Sequence, residues 1–322
     1  MPTNKTVQRR SIPSDLQLDG LPEFLSRIYL ARGISTLSEL DLSLSKLHNN
    51  KSIKGLDKAV ELLVDAILNH HKILMGGDFD CDGATSTALA MLFLKEIQVD
   101  CHFLLPNRFE YGYGLTPEIV ELASTQNPHL IITVDNGISS IEGVERAKQL
   151  GIKVLITDHH LPGDALPCAD AIVNPNQPGC DFLSKNAAGV GVIFYVLSGL
   201  RAKLREMEFF QRQGFSDINM ANFLDLLALG TVADLVPLDL NNRILVEQGL
   251  KRIRAGRCRP GIKALLEHAG KRLDQVNASD MGFIVGPRLN AAGRLDDMSL
   301  GINCLLSASI EEASQLARQL DQ

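Results

Sequence analysis

KILMGGDFDCDGATSTALAMLFLKEI, residues 72–97, decides the fold. It opens with a short apolar run from Ile73 to Met75, passes Gly76 and Gly77, and enters a cluster with Asp78, Asp80 and Asp82 at alternate positions. From Ser86 the apolar residues follow a helical pattern. The reading is therefore strand, acidic turn, helix, and the same alternation recurs downstream. Residues 99–105 read as a strand, 116–123 as a helix with Pro117 at its first position, and 130–134 (LIITV) as a strand. Residues 139–150 read as a helix, for which Ser139 and Glu142 supply a capping box. Residues 152–156 (IKVLI) and 171–173 are further strands. Short, continuously apolar strands alternating with helices predict an α/β fold, a parallel sheet covered by helices on both faces. Right-handed crossovers then bring the C-terminal ends of all strands to one edge.

On either side of this core the pattern changes. Residues 56–71 form an apolar-striped helix ahead of the first strand. Residues 1–55 hold short helical stretches at 21–32 and 35–47 with no evident chemistry, and read as an adaptor segment. After Asn186 the chain turns mainly helical, at 190–205, 220–229, 243–253, 261–267 and 310–321, the last capped by Ser309 with Glu312. The expected division is an adaptor segment at 1–55, a catalytic domain at 56–309, and at 310–322 the start of a helix leading to a second domain.

Composition narrows the function classes. Hydrophobic residues make up 45% of the 322, enough for a sizeable core. Lys and Arg total 32 against 38 Asp and Glu, a net charge of -6, so any nucleic-acid partner must be met by local patches. One such patch is the basic stretch from Lys251 to Arg272, opposed in sequence only by Glu267, which reads as a flank of a nucleic-acid track. The cysteines at 81, 101, 168, 180, 258 and 304 form no CxxC pair, which argues against a zinc site or a disulfide framework and for a reducing, cytoplasmic setting. No secretory signal opens the chain, and no apolar run approaches the roughly 18 residues of a membrane span.

Three carboxylates as close as Asp78, Asp80 and Asp82 repel one another and need compensation. An acidic surface loop is the plain alternative for this cluster alone. If the backbone is extended here, alternate side chains face the same way and could share a cation. Asp135 follows the LIITV strand, Asp158, His159 and His160 follow the IKVLI strand, and Asp234 follows an apolar helix. Separate acidic clusters at one sheet edge are poorly explained by coincidence. Many carboxylates with one or two imidazoles suit Mn2+ or Mg2+ better than zinc. Two such ions can clamp a phosphoryl group, and Asp135 is the natural shared ligand.

The runs DFDCDGAT, VDNG, TDHH and GTVADLVPL together resemble the phosphoesterase superfamily named for its Asp-His-His motif. The later run GPRLNAAGRLDD, with PNRFEYGYGLT and AAGVGVIFYVLSGL before it, is similar to the bacterial single-stranded-DNA-specific exonucleases of that superfamily. The resemblance runs from about Lys72 to the end of the chain. It implies two divalent ions, Mn2+ or Mg2+, one held by Asp80 and Asp135 with Asp78, the other by Asp82, Asp135, His159 and Asp234. It implies His160 beside the scissile phosphate as donor or acid, with Asp158 behind it and Asp135 shared between the ions. Cys81, between ligands, stands where the family often has a smaller residue. Arg108, Arg288 and Arg294 are expected on the DNA strand, with Asn290 adding a polar contact and Tyr113 stacking on bases.

The implied activity is 5′ to 3′ digestion of single-stranded DNA in recombination and repair. A DNA helicase and a single-strand-binding protein follow as partners, and no membrane does. The resemblance also implies a second domain, whose glycine-glycine-histidine motif is absent here. The core motifs leave open a relative acting on small nucleotides or short oligonucleotides. A non-catalytic replication scaffold would lose metal ligands, and this sequence keeps them.

Overall fold

The computed structural model describes residues 8, 10–12, 17–105, 111–292 and 299–321. Its centre is a five-stranded sheet of β1 (Ile73–Gly77), β2 (Cys101–Leu104), β3 (Leu130–Val134), β4 (Lys153–Thr157) and β5 (Ala171–Val173). The spatial order is β2-β1-β3-β4-β5 and every pairing is parallel. Helix α1 (Glu23–Leu30) and helix α2 (Leu56–Leu68) precede the sheet. Helix α3 (Cys81–Glu96) crosses from β1 to β2, α4 (Pro117–Ser124) leads to β3, and α5 (Ile141–Gln149) leads to β4.

Residue alternation along the strands decides which layer each side chain joins. Leu74, Ile131, Val154 and Ile156 pack under Ile119, Val120, Val144 and Ala147 of α4 and α5. Ile73, Met75, Ile132, Val134 and Leu155 face the larger core, with Leu63 of α2 and Leu89 and Phe93 of α3. Both faces are thus covered, as the apolar strands required.

The chain steps outward from β1 to β2, then returns past β1 to β3, so its winding reverses between β1 and β3. At such a switch point the strand ends open into a crevice. The register fixes what enters it. Gly77 is level with Val134, and Val134 with Thr157. Asp78, Asp135 and Asp158 therefore leave the sheet side by side.

Two local readings are corrected. The acidic run is extended only as far as Asp80: α3 begins at Cys81, Asp80 is its N-cap accepting from the Gly83 N–H at 2.9 Å, and Asp82 lies in the first turn. The helix after β3 starts at Ile141 with no side-chain cap, so the Ser139–Glu142 box does not form. The Ser140 hydroxyl instead accepts from the Leu115 N–H at 3.0 Å, joining α5 to the loop before α4.

The helical region contains α6 (Gly189–Glu206), α7 (Leu224–Ala233), α8 (Leu240–Arg254) and α9 (Pro260–His268). It continues with a π-helical turn at Met281–Val285, then α10 (Gly286–Ala292), α11 (Leu300–Leu306) and α12 (Ile310–Gln319). Helices α10 and α11 have no forerunner in the sequence reading, because Gly286-Pro287 reads as a break and each helix is only seven residues long. Ser309 caps α12 by accepting from the Glu312 N–H at 3.2 Å.

The segment before α2 has a small apolar cluster of its own, Leu18, Leu30 and Ile34. It is tied to α8 where the Gln248 side chain donates to the Leu42 carbonyl at 2.6 Å. Among the described residues, no helix is long and apolar enough to cross a membrane.

The basic stretch from Lys251 to Arg272 proves largely occupied within the protein. Arg259 meets the buried Asp225 at 3.6 Å, Lys271 meets Asp280 at 3.0 Å, and Arg272 meets Asp274 at 2.7 Å. Arg254 donates to the Val276 carbonyl at 2.7 Å, and Lys251 lies 3.5 Å from Glu247. The fold supplies acidic partners that a linear count of neighbours does not see.

Phe93 is fully buried between the sheet and α7, with its ring 6.3 Å from that of Phe223. Phe93→Ala is expected to cost about 3–5 kcal/mol in urea denaturation. Phe283→Ala, at a residue 78% exposed, should stay within about 0.5 kcal/mol.

Candidate metal centre

Asp135 anchors the site. It follows β3, its N–H is held by the Thr157 carbonyl at 3.0 Å, and its φ of 63° is left-handed. Among ordinary residues, aspartate and asparagine tolerate that conformation best. The turn it makes buries the carboxylate, leaving the residue 1% exposed.

Around it the other groups converge. One ligand atom each from Asp78, Asp80 and Asp135 lie within 4.8 Å of one another, and so do atoms of Asp82, His159 and Asp234. A third such group is Asp135, His159 and His160. His159 Nε2 is 3.1 Å from Asp135 Oδ1, 3.5 Å from Asp234 Oδ2 and 3.9 Å from Asp82 Oδ2. Asp234 reaches the centre from the C-terminal end of α7.

Asp82 is the most firmly held of the set. Its two oxygens accept from the Gly189 N–H at 2.6 Å and the Val190 N–H at 2.9 Å, at the start of α6. The acidic turn is clamped from the far side as well, where Asn290 on α10 accepts from the Cys81 N–H at 2.7 Å.

Burial and mutual repulsion set the charge states. Burial, then Asp80, pushes Asp78 up to about 6. Burial and Asp80 push Asp82 up to about 7, and burial and Asp82 do the same to Asp234. Asp135 is raised well above the carboxylate range by burial and by Asp82, Asp80, Asp78 and Asp234. Burial holds His159 below the usual imidazole range, leaving it neutral and able to offer a lone pair.

Among the described residues, Asp135 Oδ1, His159 Nε2 and Asp234 Oδ2 are buried atoms with no hydrogen-bond partner. Each such orphan costs about 1–3 kcal/mol. Three of them pointing at one spot, within a cage of carboxylates, fit a divalent cation with hard oxygen and imidazole ligands.

Asp158 faces away from that cage. Burial raises its carboxyl, but hydrogen bonds from His160 and from the Ile138 N–H outweigh this and hold it below the usual range. His160 Nδ1 sits 2.7 Å from Asp158 Oδ1, and this bond, against the effect of burial, raises the imidazole. Tyr113 stands edge-on to the His160 ring, the ring centroids 6.5 Å apart. A cleft of about 640 Å³ runs from His160 and Tyr113 between the starts of α4 and α5.

The expected substrate contacts fare differently. Asn290 lies against the acidic turn, its amide oxygen committed to Cys81. Arg288, on the same helix, is turned elsewhere, donating to Asp321 at 2.7 Å and to the Ile284 carbonyl at 2.9 Å. Arg108 and Arg294 lie outside the described residues. The sequence reading gave no role to the α6 amides that grip Asp82. Their one signal was the small-residue run AAGVGV, which permits close approach.

Residues 72–231 match the profile of the DHH family, N-terminal domain. A single-stranded-DNA-specific exonuclease RecJ of Dickeya dadantii (strain 3937) is 53% identical over 318 residues, covering 98% of this chain and 55% of that protein. The protein of the same name from Escherichia coli (strain K12) is 52% identical over 317 residues, with 98% and 55% covered. A crystal structure of exonuclease RecJ bound to manganese superposes with a TM-score of 0.72 at 34% identity, over 84% of this chain and 65% of that one. RecJ from Thermus thermophilus in complex with Mn2+ gives 0.74 at 32%, over 91% and 40%. The chain spans about half the length of the curated relatives it matches.

The raised carboxyls make metal-free stability depend on pH. Asp78, Asp82 and Asp234 stay protonated to about 6–7 when folded, against 3.8 for a free side chain. The folded chain thus binds more protons across that window, and stability falls as pH rises through it. His159 shifts down and His160 up, so the two act on this slope with opposite signs. The melting temperature of the metal-free protein should drop between pH 5 and pH 7. Added Mn2+ should restore it, and more so at the higher pH, because the ligands must be deprotonated. A flat profile without metal would contradict this account of the cage.

Proposed function

The chain belongs to the DHH family, and from that premise we propose that it is the metal-dependent catalytic part of an exonuclease that digests single-stranded DNA from the 5′ end. One observation carries the chemistry: Asp135 Oδ1, His159 Nε2 and Asp234 Oδ2 converge without partners among the described residues, inside a ring completed by Asp78, Asp80 and Asp82. The substrate class is supported by relatives more than 50% identical over nearly the whole chain that are named single-stranded-DNA-specific exonucleases.

In this reading one divalent ion, Mn2+ or Mg2+, would be held by Asp78, Asp80 and Asp135, and a second by Asp82, His159 and Asp234 with Asp135 shared between them. When bound, they supply polarisation of a phosphoryl oxygen and a water acidic enough to attack at neutral pH. The side chains do the rest. Asp135, held in place by the end of β3, would offer its carboxylate to both ions. Asp158 fixes His160 through Nδ1 and raises its proton affinity, so His160 can hold a proton on Nε2 and pass it to the departing oxygen. The exposed ring of Tyr113 provides a face for a terminal base. Arg108 and Arg294 hold the strand by paired donors, and Arg288 joins them only on leaving Asp321. Residues 1–55 serve as adaptor, 56–309 as catalytic domain and 310–322 as the start of a connecting helix. A cytoplasmic role in recombination and repair beside a helicase and a single-strand-binding protein belongs to the same proposal.

The test is digestion of end-labelled single-stranded and duplex DNA by the purified protein with Mn2+ or Mg2+. Single strands should be shortened from the 5′ end and duplex spared. Preference for dinucleotides over long strands would overturn the substrate assignment. His160→Ala should lower kcat by about 10²–10⁴-fold while Mn2+ still binds. Asp135→Asn should lose more activity than Asp78→Asn at saturating Mn2+, because only Asp135 serves both ligand groups; equal losses would remove its bridging role.

A further inference from the structure

Helix α6 opens without a side-chain cap of its own, its N-cap being Ala188. Its first two free N–H groups, those of Gly189 and Val190, are satisfied from another element, by the two oxygens of Asp82 on α3. The start of an 18-residue helix also carries positive potential, which suits a buried carboxylate.

Gly189 has a second relation to the centre. A Cβ placed on it would stand 2.6 Å from both Cβ and Oδ1 of Asp135 and 2.8 Å from Cγ. Real contacts at those distances do not occur, and Asp135 has little room to yield. Its N–H is bonded to β4 and its backbone already sits in the left-handed region. The orphaned Oδ1 is itself one of the atoms a methyl group would displace. Gly191, two residues on, differs: among the described residues a Cβ there would touch only Ala187 Cβ, at an ordinary 3.7 Å. The same arrangement recurs on α7, where a Cβ on Gly230 would lie 2.9 Å from Asp82 Oδ1.

We propose that Gly189 is a positioning residue of the metal centre, setting Asp82 through its N–H and making room for the Asp135 carboxylate through its missing side chain. The helix start then acts as a template that fixes the spacing between the two ligand groups. Any side chain at 189 pushes the shared carboxylate off that spacing. The inference rests on the divalent-metal part of the proposed function and is independent of the substrate.

The experiment is a Mn2+ titration followed by electron paramagnetic resonance on wild type, Gly189→Ala and Gly191→Ala, with circular dichroism to follow the fold. Gly189→Ala should weaken Mn2+ binding by about 10–100-fold, as supporting residues around metal ligands typically do. It should also lose the signature of two coupled ions, while Gly191→Ala keeps both. Should Gly189→Ala also lower the metal-free melting temperature, that loss must shrink in an Asp135→Gly background, where the colliding Cβ, Cγ and Oδ1 are all gone. Unchanged Mn2+ affinity in Gly189→Ala, or equal melting losses in the two backgrounds, would overturn the inference and leave the metal reading standing. A wild-type chain that binds no Mn2+ would remove the metal reading itself, and the inference with it.

Discussion

Buried negative charge at the β1/β3 switch point is the constraint on which the other features of this structure depend. Asp78, Asp82, Asp135 and Asp234 are pressed together closely enough that each is raised by burial and by its neighbours. A fold driven by burial alone would not place them there. The surrounding elements compensate with what lies in reach: backbone amides of α6 on Asp82, the Gly83 amide on Asp80, and a neutral imidazole facing Asp135 and Asp234. What these cannot supply is positive charge at the centre, and the three orphaned atoms mark where it belongs.

The same constraint gives the two adjacent histidines separate roles. His159 points into the carboxylates and is kept neutral by burial, as a ligand must be. His160 points out, is tied to Asp158 and gains proton affinity, as an acid should. Asp158 can do this because its other bonds come from backbone amides and not from the cage. Neighbouring residues at the end of one strand thus acquire opposite chemistry from the direction each side chain takes.

Much of this was legible in the sequence. LIITV and IKVLI are apolar but for Thr133 and Lys153 because parallel strands are buried on both faces, and the acidic residues follow them directly, so the strand ends and their cargo could be read together. The local geometry of the acidic turn could not. Asp80 caps α3 and Asp82 rides in its first turn, which alternate spacing alone cannot tell from an extended run. Ser139 and Glu142 satisfy the capping pattern, yet Ser140 is drawn to Leu115, a partner 25 residues away. Lys251 to Arg272 read as a free basic patch because Asp225, Asp274 and Asp280 come to it only in three dimensions or across turns. Gly189 was unreadable for a different reason: its role lies in an atom it lacks, and the carboxylate that needs the space is far away in sequence.

The central claim is that two divalent ions sit at this switch point and share Asp135. It is tested most directly by anomalous diffraction at the manganese edge from crystals grown with Mn2+. The account predicts two peaks roughly 3.5–4 Å apart, both within ligand distance of Asp135, one also beside Asp80 and the other beside His159. A single peak, or a pair of peaks in which Asp135 contacts at most one, would contradict it.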